Sequence, residues 1–250
     1  MYRMFVPGQN GYDVPILLNV MPEAKTALLV VHGFGSGKDR ATAARMRDDF
    51  TARGAGVCAM DLPAHGESPV DGHFLTVENA LADIATAEDV VHRYMPQAKI
   101  AFFASSFGAF LTSLYLARRP QTLHKPKVIL RCAALTMPKL LWAELGEEKQ
   151  AKLNNNEDVW LDSYDPPILI SPAFIRSMLA HDPFRECRPR MADILLIHGT
   201  ADEVAPVEEA RRFSHEFNYP LLEMAGADHR FLGEGQMDHL IDVALEHICS

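Results

Sequence analysis

Residues 100–110, Ile-Ala-Phe-Phe-Ala-Ser-Ser-Phe-Gly-Ala-Phe, constrain the fold of this chain more than any other stretch. An apolar run enters at Ile100, shrinks to small residues around Ser106, and passes into a helix-period segment with Leu111, Leu114 and Tyr115. This is the pattern of a strand entering a helix through a turn too tight for large side chains beside the serine. Ala104 and Gly108 stand where a bulky residue would strike the neighbouring backbone. Such a turn strains the serine and lifts its hydroxyl clear of the sheet, while the helix aims its free N–H groups and positive dipole end at the same spot. Ser106 is therefore a candidate nucleophile, with a helix N-cap as the plain alternative. A nucleophile needs a base, a group to orient that base, and donors for an oxyanion.

The rest of the chain places such partners on one sheet. Ala27–Val31, Val57–Met60, Lys99–Ala104, Lys127–Cys132 and Ile194–His198 are strand-like apolar runs. Helical stretches separate most of them, at 39–53, from Thr76, up to Arg119, and at 206–217. A short strand at Leu221 and a helix carrying Leu240, Val243, Ala244 and Ile248 close the chain. Continuous apolar strands alternating with helices predict a parallel sheet covered on both faces. Residues 2–20 hold two extended segments parted by turn signals, as in an antiparallel hairpin at a sheet edge. The alternation breaks over 135–183, which contains both tryptophans and the run Asp165-Pro166-Pro167. Residues 157–164 and 168–171 can pair as a hairpin there. The stretch is too short for a core of its own, so it reads as an insertion into a domain made of 1–134 and 184–250.

Composition narrows the function. A formal net charge of −9 argues against nucleic acid as the partner, since phosphate binding wants a basic face. The pairs Arg118-Arg119 and Arg211-Arg212 read as solvated helix ends. No stretch approaches the ~18 apolar residues of a membrane span, and the N-terminus is too broken for a secretory signal. Cys58, Cys132, Cys187 and Cys249 are widely spaced with no Cys-x-x-Cys pair, and Cys58 and Cys132 read as small buried hydrophobes. A reducing, cytoplasmic setting is expected.

Among the 11 histidines, His229 is the preferred base, in the small-residue loop Gly226-Ala227-Asp228-His229 between the last strand and the last helix. His198 closes an apolar strand and reads as a satisfied core histidine. His32 and His65 sit in tight glycine loops, where a histidine bonds local backbone. His92, His124, His181, His215, His239 and His247 read as solvated. The orienting acid should follow the preceding strand, where Gly199-Thr200-Ala201-Asp202 supplies Asp202, with Glu203 and Asp228 as rivals. The order is then Ser106, Asp202, His229. One oxyanion donor is the N–H of Phe107, and the other should come from the loop after Val31, at Phe34. A phosphate cradle is not the reading of that loop, because Lys38 lacks the spacing of a P-loop.

Together, His32-Gly33-Phe34-Gly35, Asp61-Leu62-Pro63-Ala64-His65-Gly66-Glu67-Ser68, the Ser106 turn, His198-Gly199-Thr200-Ala201-Asp202 and Asp228-His229 resemble the α/β-hydrolase superfamily. Within it the chain is similar to serine-aminopeptidase-like and monoacylglycerol-lipase-like esterases, above all the small cinnamoyl (feruloyl) esterases. The resemblance implies a mostly parallel eight-stranded sheet with helices on both faces and a short inserted lid over 135–183. It also implies a Ser106–His229–Asp202 triad working with no metal or organic cofactor. The activity implied is hydrolysis of small or aromatic acyl esters through an acyl-enzyme. A peptidase, a thioesterase or a carbon–carbon bond hydrolase are the alternatives on the same triad. The expected partner is a small-molecule ester, and the expected assembly a homodimer. Trp142, Trp160, Tyr164 and Phe174 are candidates to line the acyl pocket, with the core of the insertion itself as the equal alternative. The chain departs from the family pattern in Ala104, where glycine is usual, and Ser105, where many members have histidine.

Overall fold

The structure is a computed structural model and describes residues 1–119 and 125–249. The apolar runs become strands because each is covered on both faces. β3 (Thr26–Val31), β4 (Gly56–Met60), β5 (Lys99–Ser105), β6 (Lys127–Arg131) and β9 (Asp193–Gly199) are parallel and almost wholly buried beyond their first residues. The N-terminal hairpin, β1 (Tyr2–Pro7) and β2 (Asp13–Asn19), joins antiparallel at one edge. The short β10 (Leu221–Met224) closes the other. The eight-stranded order is β1-β2-β4-β3-β5-β6-β9-β10. Val31 pairs with both Met60 and Ala104, Ser105 with Arg131, and Arg131 with Ile197. With β10 parallel to β9, this register brings the carboxyl ends of six strands to one edge, where parallel sheets place their functional loops.

Helices cover both faces. α1 (Ala41–Ala52) and α8 (Gln236–Cys249) pack on one side through Ala43, Met46, Phe50, Leu240 and Ile248. α2 (Val77–Tyr94), α3 (Phe107–Arg118) and α7 (Val207–Phe217) contribute to the core on the other. Thr76 caps α2, its hydroxyl accepting from the Asn79 N–H at 3.1 Å. α1 starts two residues later than the sequence suggests, because Lys38 and Asp39 are taken into ion pairs. β6 stops at Arg131 because the backbone turns left-handed at Cys132, φ 45°.

Between β6 and β9 lie α4 (Met137–Asn154), broken at Gly146, the antiparallel pair β7 (Val159–Leu161) and β8 (Ile168–Ile170), α5 (Pro172–Leu179) and the short α6 (Pro183–Glu186). The strands are three residues each; the two prolines after Asp165 offer no N–H to extend the ladder. Leu141, Leu161, Ile170, Phe174 and Met178 join the same apolar core as α2 and α3. A Cβ at Gly72, just before α2, would stand 1.8 Å from the Leu169 carbonyl oxygen, so this segment sits directly on the domain.

Two surface readings are corrected. His181 is clamped between Glu78 and Glu186 at 2.8 and 3.0 Å rather than solvated. Arg119 pairs with the buried Glu88 at 2.6 Å. His124 lies outside the described residues. All four cysteines are free thiols. Among the described residues no helix is long and apolar enough to cross a membrane.

Candidate active site

Ser106 joins β5 to α3 with φ 53° and ψ −116°, a conformation that costs an L-residue on the order of 1–3 kcal/mol. Neighbouring strands impose it. The Ser106 N–H donates to the Arg131 carbonyl at 2.9 Å, and the Ser106 carbonyl accepts from Ala109 and Ala134 N–H groups at 3.0 and 3.3 Å. Gly108 is required because a Cβ there would lie 2.4 Å from the His32 carbonyl oxygen. Ala104, where the family pattern has glycine, is fully buried in the turn. Ser105 turns its hydroxyl to Arg131, accepting from Nε at 3.1 Å.

Asp202 and His229 are brought together from the loops after β9 and β10. The His229 Nδ1–H donates to both carboxylate oxygens, at 2.8 and 3.0 Å, leaving Nε2 as the acceptor. Asp202 also accepts from the Val204 and Ala205 N–H groups at 2.9 and 2.8 Å. Burial pushes this carboxyl up, but the hydrogen bonds from His198 and His229, the nearby His229 and the Ala205 N–H outweigh it and hold the group below the usual carboxylate range. The rivals are placed elsewhere. Glu203 is exposed, and Asp228 folds its own loop by accepting from the Arg230 and Leu232 N–H groups.

His198, read from sequence as a satisfied core histidine, has a larger part. Its Nε2 lies 2.8 Å from the Ala205 carbonyl and 3.2 Å from Asp202 Oδ2, while its buried Nδ1 has no partner among the described residues. Nε2 therefore carries the proton, and the ring buttresses the acid from behind. The thiol of Cys132 completes a group with His198 and Asp202 whose ligand atoms lie within 4.8 Å of one another. Burial pushes that thiol up to about 12, and the carboxylate is already engaged by four donors. The donor set thus suits an anchored acid better than a metal ion.

The loop after β3 is fixed with equal care. The His32 Nδ1–H donates to the Gly33 carbonyl at 2.7 Å, and Nε2 accepts from the Leu62 N–H at 3.0 Å. Lys38 is buried, with Nζ 2.5 Å from Asp61 and 2.6 Å from Glu67, while its N–H reaches the second Asp61 oxygen at 2.7 Å. A Cβ at Gly33 would stand 3.1 Å from the Ser106 Cβ, so the loop lies against the serine. The Phe34 ring inserts among Phe107, Tyr164, Phe174 and His65, at centroid distances of 5.1 to 6.2 Å. Phe107, the first residue of α3, has no intrahelical acceptor for its N–H.

A cavity of about 800 Å³ opens over this edge, lined by Phe34, Ser106, His229 and Tyr164 among others. Of the four aromatic candidates, Tyr164 lines the cavity and the others follow the alternative or the surface. Phe174 is buried in the core beneath Phe34, Trp142 packs against that core, and Trp160 is half exposed. Arg131, unremarked in the sequence, also lines the cavity. Its Nη1 donates to the His229 carbonyl at 3.0 Å, and its guanidinium covers the Phe231 ring at 5.4 Å. A charge inside the apolar run Lys127–Cys132 was the signal for it.

The profile of the family described as serine aminopeptidase, S33, matches residues 22–236. No curated protein shows significant sequence similarity to the chain. Among solved structures, a protein from Agrobacterium vitis S4 superposes with a TM-score of 0.82 at 18% identity, covering 99% of this chain and 98% of that one. Est1E from Butyrivibrio proteoclasticus, with ferulic acid bound, gives 0.79 at 19% identity over 99% and 100% of the two chains. Mouse alpha/beta hydrolase domain-containing protein 10 gives 0.78 at 17% identity over 98% of each.

Proposed function

Because this chain belongs to the serine aminopeptidase S33 family of α/β-hydrolases and is therefore a hydrolase, we propose that it is a serine carboxylic-ester hydrolase with Ser106 as nucleophile, His229 as base and Asp202 as the acid that orients it. The observation that carries this is the bidentate Asp202–His229 pair opening on the same cavity as the strained Ser106. His229 Nε2 takes the Ser106 proton as Oγ attacks the ester carbonyl. The buried Asp202 carboxylate stabilises the imidazolium that forms. The N–H groups of Phe34 and Phe107 receive the oxyanion; one such donor is worth about 3 kcal/mol in the transition state. His229 returns the proton to the leaving alcohol, and water then repeats the cycle on the acyl-enzyme.

Short or aromatic acyl groups suit the site best, since Phe34, Phe103, Tyr164 and Phe231 contribute to its wall. The segment between β6 and β9, which carries Tyr164, acts in this reading as the lid. An aminopeptidase would need a free acid beside the serine to grip a substrate amine. The acids on this wall are Asp238, bound by Arg45 at 2.7 Å, and the exposed Asp165. A panel of 4-nitrophenyl esters from acetyl to long-chain acyl, a feruloyl ester and an aminoacyl anilide, assayed with wild type and Ser106→Ala, tests the proposal. Turnover of short or aromatic esters should fall by about 10⁴-fold or more in the variant. Turnover of the anilide alone would replace the esterase by a peptidase. Absence of any turnover and of fluorophosphonate labelling at Ser106 would overturn the reading.

A further inference from the structure

The wall of the cavity runs against the charge of the chain. The protein as a whole carries −9, yet four arginines (Arg40, Arg45, Arg131 and Arg230) line the cavity against two aspartates, Asp165 and Asp238. One of those aspartates is already neutralised by Arg45. Among the described residues, neither Arg40, Arg131 nor Arg230 is ion-paired with a carboxylate. Arg40 donates to the backbone carbonyl of Asp165 at 3.0 Å, and Arg131 to the Ser105 hydroxyl and the His229 carbonyl. Asp202 and Asp228 are near enough for Arg131 to feel their charge, but their oxygens accept from other donors. None of those donors is a cation, so the two aspartates offset the charge of Arg131, which is 6% exposed. The surplus positive charge of the wall lies at Arg40 and Arg230, where an entering anion meets it.

We infer that the cavity takes an ester carrying a carboxylate on its acyl or alcohol half, gripped by Arg40 and Arg230 at the mouth. The inference rests on the esterase reading for its reaction, though not for its binding. Arginine suits this task because its planar fork matches a carboxylate and it stays charged.

The test compares 4-nitrophenyl hemiadipate with its neutral methyl ester, and 3-carboxyphenyl butyrate with its methyl ester. Ser106→Ala supplies the background rates. The anionic member of at least one pair should show a kcat/KM about tenfold higher, the first pair reporting on the acyl half and the second on the alcohol half. The preference should shrink with added salt. In the double variant Arg40→Gln/Arg230→Gln it should fall below about threefold, each variant being normalised to its own neutral ester. Equal rates for both members of both pairs would overturn the inference while leaving the esterase intact. If no ester is turned over, calorimetry on Ser106→Ala decides: binding of monoethyl adipate but not diethyl adipate sustains the anion site, and equal binding removes it.

Discussion

Lys38 and Arg131 are both buried at the carboxyl edge of the sheet, 1% and 6% exposed. Lys38 is saturated: two carboxylates take its ammonium and its backbone N–H, and burial, which would lower its pKa, is outweighed so that the group stays charged. Among the described residues Arg131 donates to neutral acceptors only, with Asp202 and Asp228 acting on it through space, and it borders an open cavity. The first arrangement ties the loop after β3 to the loop after β4. The second leaves donors in reserve beside the serine. A buried ion that is fully paired belongs to the architecture, and one that bonds only neutral acceptors at a cavity wall keeps donors turned to the site.

Removing the saturated cation should cost most. Lys38→Met strands Asp61 without its ammonium, and urea unfolding at pH 7 should show a loss of about 3–5 kcal/mol. A loss under about 1 kcal/mol would mean that the pairing does not hold the loops together. Asp83 extends the contrast to a carboxylate, since it is 1% exposed and, among the described residues, hydrogen-bonded only to the Tyr12 hydroxyl, at 2.9 Å. Burial pushes it up to about 7, against the pull of that hydrogen bond. A carboxyl raised in the folded state binds its proton more tightly there than in the unfolded chain. Its stabilisation is thus complete below about pH 4 and is lost as the pH climbs through 7. Asp83→Asn should gain about 4 kcal/mol more at pH 8 than at pH 4, flattening the stability profile between them. The smallest effect on stability is expected at the unpaired cation. Arg131→Met should shift unfolding by less than about 1.5 kcal/mol in either direction, because lost hydrogen bonds and relieved desolvation oppose each other. Turnover should fall with it, since the His229 carbonyl loses its donor.

What was legible in the sequence follows the same division. The parallel sheet covered on both faces rests on alternating apolar runs and on turns such as 102–110, both local signals. Asp202 and His229 stand out because each follows a strand in a loop of small residues, a local signal again. Lys38 was invisible, since its partners Asp61 and Glu67 are 23 and 29 residues away and only the folded loops bring them together. The part played by His198 depends on Ala205 and Asp202 bending back over it, which no periodicity reports. Pocket and core aromatics stay undivided in the sequence for a similar reason. A phenylalanine such as Phe174 fills core and cavity wall with equal aptitude, and only packing decides between them.

Tyr164 lies so close to Gly35 that a single added carbon at position 35 would stand 2.0 Å from its ring, and Gly35 itself sits at φ 68°. The entrance and the Phe34 N–H assigned to the oxyanion therefore share one glycine as their common boundary. A lineage, or an engineer, wanting a roomier entrance could not begin from the loop without disturbing the donor beside it. The route to a different clientele of substrates runs through the hairpin, by trimming Tyr164 and releasing its bond to Glu144, and that side of the doorway can be recut while the catalytic frame stays as it is.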